Sequence, residues 1–152
     1  MDDIHLIILT PNKKLIDELH VAEVFFPTET GRVGVLPDHA AMVTAVGTGV
    51  VSYLQKKNVS GFLKVAGGVA EVCDNILTLL VDTGEVASNI DVDRAKRALE
   101  RAEGRLAAKD LGNVDVKRAQ SSRERALARL QTAELYQTRV SKNPSSKTNE
   151  SE

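Results

Sequence analysis

The sequence predicts an all-β sandwich followed by an α-helical hairpin. Strand-like segments recur about every eight to twelve residues between glycine and proline turns. Near Glu85 the composition changes from Val, Gly and Thr to Ala, Arg and Glu, and apolar residues then recur every three or four positions. We therefore predict a β-sandwich domain at 1–86, a two-helix antiparallel hairpin at 87–137 and a disordered tail at 138–152.

The predicted strands follow alternating apolar residues and end at turn signals. The first strand stops at the turn Thr10-Pro11-Asn12, and a later short strand stops at Pro37. Gly67-Gly68 interrupts an otherwise alternating stretch, as expected at a bend or bulge. In chain order, the predicted strands are 3–9, a pair within 14–27, 31–37, a β-rich stretch at 41–55, 62–73 and 76–81.

Two alanine-rich apolar stripes predict the helical hairpin. Gly112 suits a helix C-terminus, and Asn113 is expected to cap the next helix. Because alanine buries little area, the two helices are expected to hold each other weakly, which suggests a hairpin that can open. The stripes consist of Val92, Ala95, Leu99, Ala102 and Leu106, then Val116, Ala119, Ala126, Leu130 and Ala133.

Composition excludes several classes of protein. No apolar run approaches the roughly 18 residues needed to cross a bilayer. The start Met1-Asp2-Asp3 lacks the basic residues and apolar run of a signal peptide, so we expect an intracellular protein. The single cysteine, Cys73, excludes an internal disulfide framework and a cysteine-based zinc site. We expect it to be a quiet, partly buried thiol, and we expect no metal site.

Charge is distributed unevenly along the chain. Residues 1–90 carry 6 Lys/Arg against 11 Asp/Glu, a net charge of −5, whereas residues 91–142 carry 13 against 8, a net charge of +5. The positive helices either present solvated faces or meet something negative, such as an acidic protein surface or a phosphate. Nucleic acid is not expected as a partner, because the few aromatic residues are not interleaved with the arginines.

Four motifs, in this order and spacing, resemble the ε subunit of the F-type ATP synthase over residues 3 to about 137. The motifs are Thr10-Pro11, the run Gly-Arg-Val-Gly-Val-Leu-Pro-Asp-His-Ala at 31–40, Ala-Gly-Gly-Val-Ala-Glu-Val at 66–72, and Ile-Asp-Val-Asp-Arg-Ala at 90–95. The resemblance implies a rotor subunit without chemistry of its own. It also implies a peripheral location on the cytoplasmic or stromal face of an energy-transducing membrane.

The resemblance implies specific partners. In this family the sandwich binds the γ subunit and lies on the ring of c subunits. The hairpin either folds against the sandwich or extends into the catalytic head, where basic residues face an acidic segment of the catalytic β subunit and ATP hydrolysis is blocked. Matching residues in the 31–40 motif make Arg32 and His39 the candidate subunit contacts. A loop histidine such as His39 is equally well explained as a surface residue.

Arginine spacing points to a phosphate ligand. Arg94 and Arg101 lie seven residues apart on one predicted helix face, and two such faces together could bind a polyphosphate. Some bacterial ε subunits bind ATP in the folded hairpin through Ile/Leu-Asp-x-x-Arg-Ala and arginines of the second helix. Carried onto this chain, the resemblance implies an ATP site, with ATP as a possible regulatory ligand and no required cofactor. The implied residues are Glu85, Asp91, Arg94, Arg118, Arg125 and Arg129.

Other interpretations stay open at this point. Asp91 can simply cap the first helix, and the arginines can be solvated or contact a partner protein. A free-standing ATP-binding sensor and a helical-hairpin adaptor are the alternative functions. An enzyme is not expected, because the three histidines are scattered without Ser/His/Asp or paired-carboxylate spacing. The absence of a Walker-type glycine loop also argues against ATP hydrolysis by this chain alone.

Overall fold

The computed structural model describes residues 3–56, 59–108 and 115–142. It contains eight β-strands, a short 3-10 helix at Ala87–Asn89 and two α-helices, α1 at Val92–Ala107 and α2 at Val116–Lys142. The predicted β-then-α fold class is confirmed. The strands are β1 Ile4–Leu9, β2 Lys14–Val21, β3 Glu23–Thr28, β4 Gly31–Val35, β5 Met42–Ala45, β6 Thr48–Gln55, β7 Val59–Cys73 and β8 Ile76–Val86.

The strands form one sheet in the order β2-β1-β8-β7-β6-β3-β4, with β5 added on β7. β1 and β8 are parallel. The long strand β7 connects two layers: residues 59–66 pair with β6 and residues 69–72 pair with β5. Between these halves, Gly67 and Gly68 have φ values of 73° and 124°. A side chain on Gly68 would clash with the Leu80 carbonyl, so this bend requires glycine.

Alternating aliphatic residues from both layers form the core. Ile4, Leu6 and Ile8 of β1 point inward at every second position and are at most 1% exposed. Phe26 of β3 and Leu63 of β7 meet them from other strands. The apolar residues of the period-2 pattern therefore lie on the inner face of the strand, as expected for strands buried on one side.

Both helices begin at an aspartate that caps the first turn. The carboxylate of Asp91 accepts the Arg94 N–H at 3.0 Å, and that of Asp115 accepts the Arg118 N–H at 3.0 Å. The cap of α2 is thus Asp115, two residues beyond the predicted start. The predicted Gly112 end and Asn113 cap lie outside the described residues.

Alanines form the contact between α1 and α2, as the stripes predict. Ala95 and Ala102 of α1 are buried, and so are Ala119, Ala126 and Ala133 of α2. On a different side of α2, Ala128 and Thr132 are also buried. α2 contacts β6 and β7 of the sheet, so it lies between α1 and the β strands.

The second helix is longer than predicted. Residues 138–142, expected to begin a disordered tail, continue α2 to Lys142. Arg139 there donates a hydrogen bond to the Ser60 carbonyl of β7, which explains why the helix persists. The rest of the predicted tail, 143–152, lies outside the described residues. No described helix is both long enough and apolar enough to cross a membrane.

Cys73 is exposed, which corrects the expectation of a partly buried thiol. It occupies the end of β7, where the chain turns into β8. The neighbouring Asp74 carboxylate raises the pKa of the Cys73 thiol. A thiol with a raised pKa is a poor nucleophile at neutral pH.

Candidate functional site

A cleft of about 610 Å³ opens between α1, α2 and the end of β8. We call it the arginine cleft. It falls within the size range of small-molecule sites. Its lining residues come from β8, the 3-10 helix and both α-helices: Glu85, Asn89, Asp91, Arg94, Ala95, Ala98, Arg101, Ala102, Arg105, Ser122, Arg125 and Arg129.

One face of α1 forms a side of the cleft, as helix periodicity explains. Arg94, Arg101 and Arg105 lie at positions 0, 7 and 11, so their side chains leave the same face. Ala95 and Ala102, also in the lining, lie beside them and add little bulk. The helix therefore presents cationic groups beside a small apolar surface, an arrangement that suits a ligand with a charged and an apolar part.

The α2 side of the cleft is joined to the β strands by an ion pair. Arg129 Nε donates to Glu85 Oε1 at 2.7 Å, and both side chains are 32% exposed. One turn earlier, Arg125 donates to the Ser122 hydroxyl at 3.2 Å. The Arg129–Glu85 pair links the hairpin directly to β8, so the shape of the cleft depends on hairpin docking.

The cleft has more positive than negative charge. Five arginines line it against the carboxylates of Glu85 and Asp91. Within the described part of the chain, the guanidinium groups of Arg94, Arg101 and Arg105 make no hydrogen bond or ion pair. Arginine forks match phosphate oxygens in bidentate geometry. The arrangement is therefore suited to a polyanion.

The structure brings together five of the six residues implied as an ATP site: Glu85, Asp91, Arg94, Arg125 and Arg129. Arg118 does not line the cleft. It lies in the first turn of α2, where its N–H meets the Asp115 cap. Arg105 lines the cleft although the sequence argument did not include it, and its spacing from Arg94 was the available signal.

Lys64 is a further charged residue that sequence analysis missed. It lies on β7 opposite Glu85 of β8 and is fully buried. Its Nζ donates to the Thr83 hydroxyl at 3.4 Å. Burial, together with the charges of Arg129 and Arg125, lowers the pKa of Lys64 to about 8, and the charge of Glu85 opposes the change. The available signal in the sequence was a lysine in the middle of a strand with alternating apolar residues. Such a position indicated that another element, here α2, covers that face of the strand.

A second surface combines exposed apolar side chains with the β4–β5 loop. Val69 and Leu80 are paired across β7 and β8 and are 46% and 52% exposed. On the adjacent strand β5, Val43 is 71% exposed. Exposed apolar residues that adjoin one another commonly mark a protein interaction site. We call this surface the apolar face; it consists of Leu36, Val43, Val69, Ile76 and Leu80.

The two predicted subunit contacts have fixed positions in the fold. Arg32 on β4 donates to the Val50 carbonyl at 2.7 Å and to the Ser52 hydroxyl at 3.0 Å. Partial burial lowers the pKa of Arg32. His39 follows Asp38, whose N–H donates to the Asn75 side chain at 2.7 Å. The 36–40 loop is thus hydrogen-bonded to the β7–β8 turn.

His39 itself is partly exposed, and its Nδ1 lies 2.7 Å from the Ala40 carbonyl. The donor role of that nitrogen depends on the tautomer of the ring. The contact holds the ring beside its own backbone. Its remaining nitrogen can contact a partner.

Comparison with protein families identifies both parts of the chain. Residues 3–87 match the β-sandwich domain of the ATP synthase delta/epsilon chain, and residues 88–134 match its long α-helix domain. The chain belongs to the ATP synthase delta/epsilon family. It is accordingly an accessory subunit of an ATP synthase and not an enzyme in its own right, as the sequence motifs predict.

Relatives in this family come from bacteria and plastids. The chain is 41% identical to an ATP synthase epsilon chain of Nitratidesulfovibrio vulgaris over 68% of its length and 76% of the relative. It is 41% identical to the chloroplastic epsilon chain of Cucumis sativus over 68% and 76%. A third relative, from Staphylococcus haemolyticus, is 38% identical over 72% and 82%.

Solved structures share the fold at lower identity. A chain of the Euglena gracilis mitochondrial ATP synthase, solved as OSCP/F1/c-ring, matches with a TM-score of 0.66 and 19% identity, covering 92% of this chain and 82% of that one. A chain from the Tetrahymena thermophila central stalk and c-ring matches with a TM-score of 0.55 and 18% identity, covering 90% and 95%. These likenesses support the fold assignment alone.

Proposed function

We propose that this subunit links the γ subunit to the c-ring of the rotor and restrains ATP hydrolysis through its C-terminal hairpin. The apolar face supports the linking role, because its side chains stay exposed while the hairpin is docked. Arg32 and His39, held by the contacts described above, are the proposed polar contacts of the same domain. The subunit would then be peripheral, on the cytoplasmic or stromal face of the membrane.

The alanine contacts support a hairpin with two positions. α1 packs mainly against α2, and the buried residues between them are alanines. Burial of so few carbon atoms contributes little free energy, so the docked and extended forms differ by a few kcal/mol. In the extended form the basic helices would face an acidic segment of the catalytic β subunit, since complementary charge sets partner choice.

ATP is the proposed ligand of the docked hairpin. The single observation that carries this proposal is the arginine cleft, which exists only where α1, α2 and the end of β8 come together. A ligand that binds this cleft stabilises the docked form by its differential affinity. High ATP would therefore hold the hairpin away from the catalytic head, and low ATP would release it.

The ATP proposal is tested by amide hydrogen exchange of α1 and α2 during ATP titration of the full-length subunit. We expect millimolar ATP to slow exchange in both helices. Arg125→Ala should weaken apparent affinity about tenfold, because one charge-assisted hydrogen bond contributes roughly 1.4 kcal/mol. Arg123→Ala is the matched control, since Arg123 is exposed on α2 and outside the cleft. Unchanged exchange at millimolar ATP would contradict the proposal.

Arg118→Ala tests the one implied ligand that lies outside the cleft. If ATP binds in the observed docked form, this variant should behave like Arg123→Ala. A tenfold loss of ATP affinity in Arg118→Ala would instead mean that the nucleotide-bound hairpin differs from this structure in the first turn of α2.

The regulatory role is tested by removing the hairpin after Val86. We expect the truncated subunit to co-purify with γ and the c-ring, and ATPase activity of the reconstituted head to rise relative to full-length protein. Equal ATPase rates would contradict inhibition, and loss of co-purification would contradict linkage through the β strands.

The arginine cleft also favours a second candidate, a free-standing ATP-binding sensor. A sensor would bind ATP yet fail to co-purify with γ. A helical-hairpin adaptor would lose assembly on truncation, whereas the proposed regulator keeps it.

A further inference from the structure

Two histidines and a glutamate converge on the outer surface of β1 and β2. His5 and His20 are directly opposite each other in the antiparallel pair, with ring centroids 4.2 Å apart. Glu18 lies two residues before His20, on the same face of β2. One ligand atom from each of the three side chains lies within 4.8 Å of the other two.

We propose that His5, Glu18 and His20 form a binding site for a divalent transition-metal ion, with Zn²⁺ as the best match. Zinc–ligand bonds of about 2.0–2.2 Å in tetrahedral geometry separate the ligand atoms by about 3.3–3.6 Å. His5 Nδ1 and Glu18 Oε1 are already 2.8 Å apart. Small side-chain rotations would therefore bring the three ligands to coordinating distance.

A fourth residue is placed to orient one of the ligands. His20 Nδ1 lies 3.9 Å from Asp3 Oδ2, and a small rotation of the ring would shorten this distance to a hydrogen bond and leave the other ring nitrogen for the ion. Metal-bound histidines generally donate their second N–H to a carboxylate or carbonyl. Asp3 also forms an ion pair with Lys56 at 3.0 Å, so its carboxylate is held in this position by a contact independent of the histidines.

The ligand types select the class of metal. Two imidazoles and one carboxylate suit zinc and its neighbours in the first transition row, whereas Mg²⁺ and Ca²⁺ prefer oxygen ligands alone. Because the three side chains are partly or largely exposed, water can complete the coordination. This proposal departs from the sequence-based expectation that the chain has no metal site.

The site lies at the edge of the sheet, where a bound ion would join two strands. β2 is an edge strand of the sheet and pairs only with β1 along the strand order. The β1–β2 register is also irregular between Leu6 and Leu9. An ion held by His5 of β1 and by Glu18 and His20 of β2 would cross-link the two strands and fix the edge.

The test uses full-length protein, with Co²⁺ as a spectroscopic probe and Zn²⁺ measured by calorimetry. We expect one Co²⁺ per chain to give a visible absorption band that Zn²⁺ abolishes. His20→Ala should weaken Zn²⁺ binding at least tenfold. His39→Ala should leave binding unchanged, because His39 lies in the β4–β5 loop. Mg²⁺ should neither produce nor displace the signal.

A second variant keeps the test decisive if His20→Ala fails to fold. Glu18→Gln preserves shape at a largely exposed position and should also weaken Zn²⁺ binding at least tenfold. Equal Zn²⁺ affinity in wild type and Glu18→Gln, a stoichiometry other than one, or the loss of binding in His39→Ala would overturn the proposal.

Discussion

The β-domain (residues 3–86) and the hairpin (residues 87–142) bury very different side chains. In the β-domain, Ile4, Leu6 and Phe26 are at most 1% exposed and belong to one hydrophobic core. The buried residues of α1 and α2 are five alanines besides Ala128 and Thr132. A buried Leu or Phe contributes about 1.5–3 kcal/mol and a methyl group under 1 kcal/mol. The two regions therefore differ in stability, which is what a rigid support and a movable arm require.

Polar contacts differ between the regions as well. The interface of α2 with the strands contains the buried Lys64 and the Arg129–Glu85 pair. Buried charges add less to stability than apolar side chains of equal volume, because desolvation opposes their attraction. The docked hairpin is thus held partly by charged groups, whereas the core of the β-domain consists of apolar side chains.

The largest expected effect is a difference in stability between a glycine substitution in the β-domain and one in the hairpin. Gly68→Ala should destabilise the β-domain by about 3 kcal/mol, because φ is 124° and the added Cβ would meet the Leu80 carbonyl. Gly104→Ala in α1 meets no neighbour and should stabilise the hairpin by up to about 1 kcal/mol. Urea unfolding monitored by circular dichroism measures both. Equal effects of the two variants would remove the proposed contrast.

Lys64 gives the next largest effect and a defined pH dependence. Its pKa falls from an ordinary 10.5 to about 8 in the docked form. The undocked form therefore binds more protons between these values, so docking should strengthen as pH rises from 8 to 10.5. Below about pH 8, Lys64 is protonated in both forms and its effect on docking should no longer change with pH. Lys64→Met should abolish this dependence and favour docking by about 1–3 kcal/mol at pH 7.

Hydrogen exchange of α2 as a function of pH measures the Lys64 effect. The informative quantity is the difference in this pH dependence between wild type and Lys64→Met. Lys117→Met, at an exposed position on α2, is the control. The same pH dependence in Lys64→Met and wild type would rule out Lys64 as its source.

A helix cap has an intermediate effect. Asp115→Ala should destabilise α2 by about 1 kcal/mol, because the Arg118 N–H loses its acceptor. Asp115→Asn keeps a capping oxygen and should cost only a few tenths. Exchange protection in the first turns of α2 distinguishes them, with no change expected in β-strand protection. An equal loss in both variants would point to the charge and not to the cap.

The smallest effects compare two ion pairs of the hairpin. Arg129→Met removes the half-buried pair with Glu85 at 2.7 Å and should weaken docking by about 1 kcal/mol. Arg123→Met removes an exposed pair with Glu103 at 3.6 Å and should cost less than about 0.5 kcal/mol. The free energy of docking, measured for both variants at low and high salt, tests these values. A larger loss in Arg123→Met than in Arg129→Met would contradict the proposed importance of burial.

Local patterns in the sequence predicted most of the architecture. Period-2 alternation in β1 and the alanine stripes of both helices reflect geometry within single elements, so they are readable without knowledge of contacts. The composition change near Glu85 located the boundary between strands and helices. The family resemblance of the motif at 90–95 implied that Asp91 and Arg94 belong to one site, and both line the arginine cleft.

Only the tertiary structure decided which distant residues meet. It placed Lys64 under α2, left Arg118 outside the cleft and paired His5 with His20 across an irregular register. The length of α2 also depended on a contact 79 residues away, between Arg139 and Ser60. Periodicity fixes the face on which a side chain leaves its own helix or strand. Register and docking arise from the packing of separate elements, and that packing has no local signature in the chain.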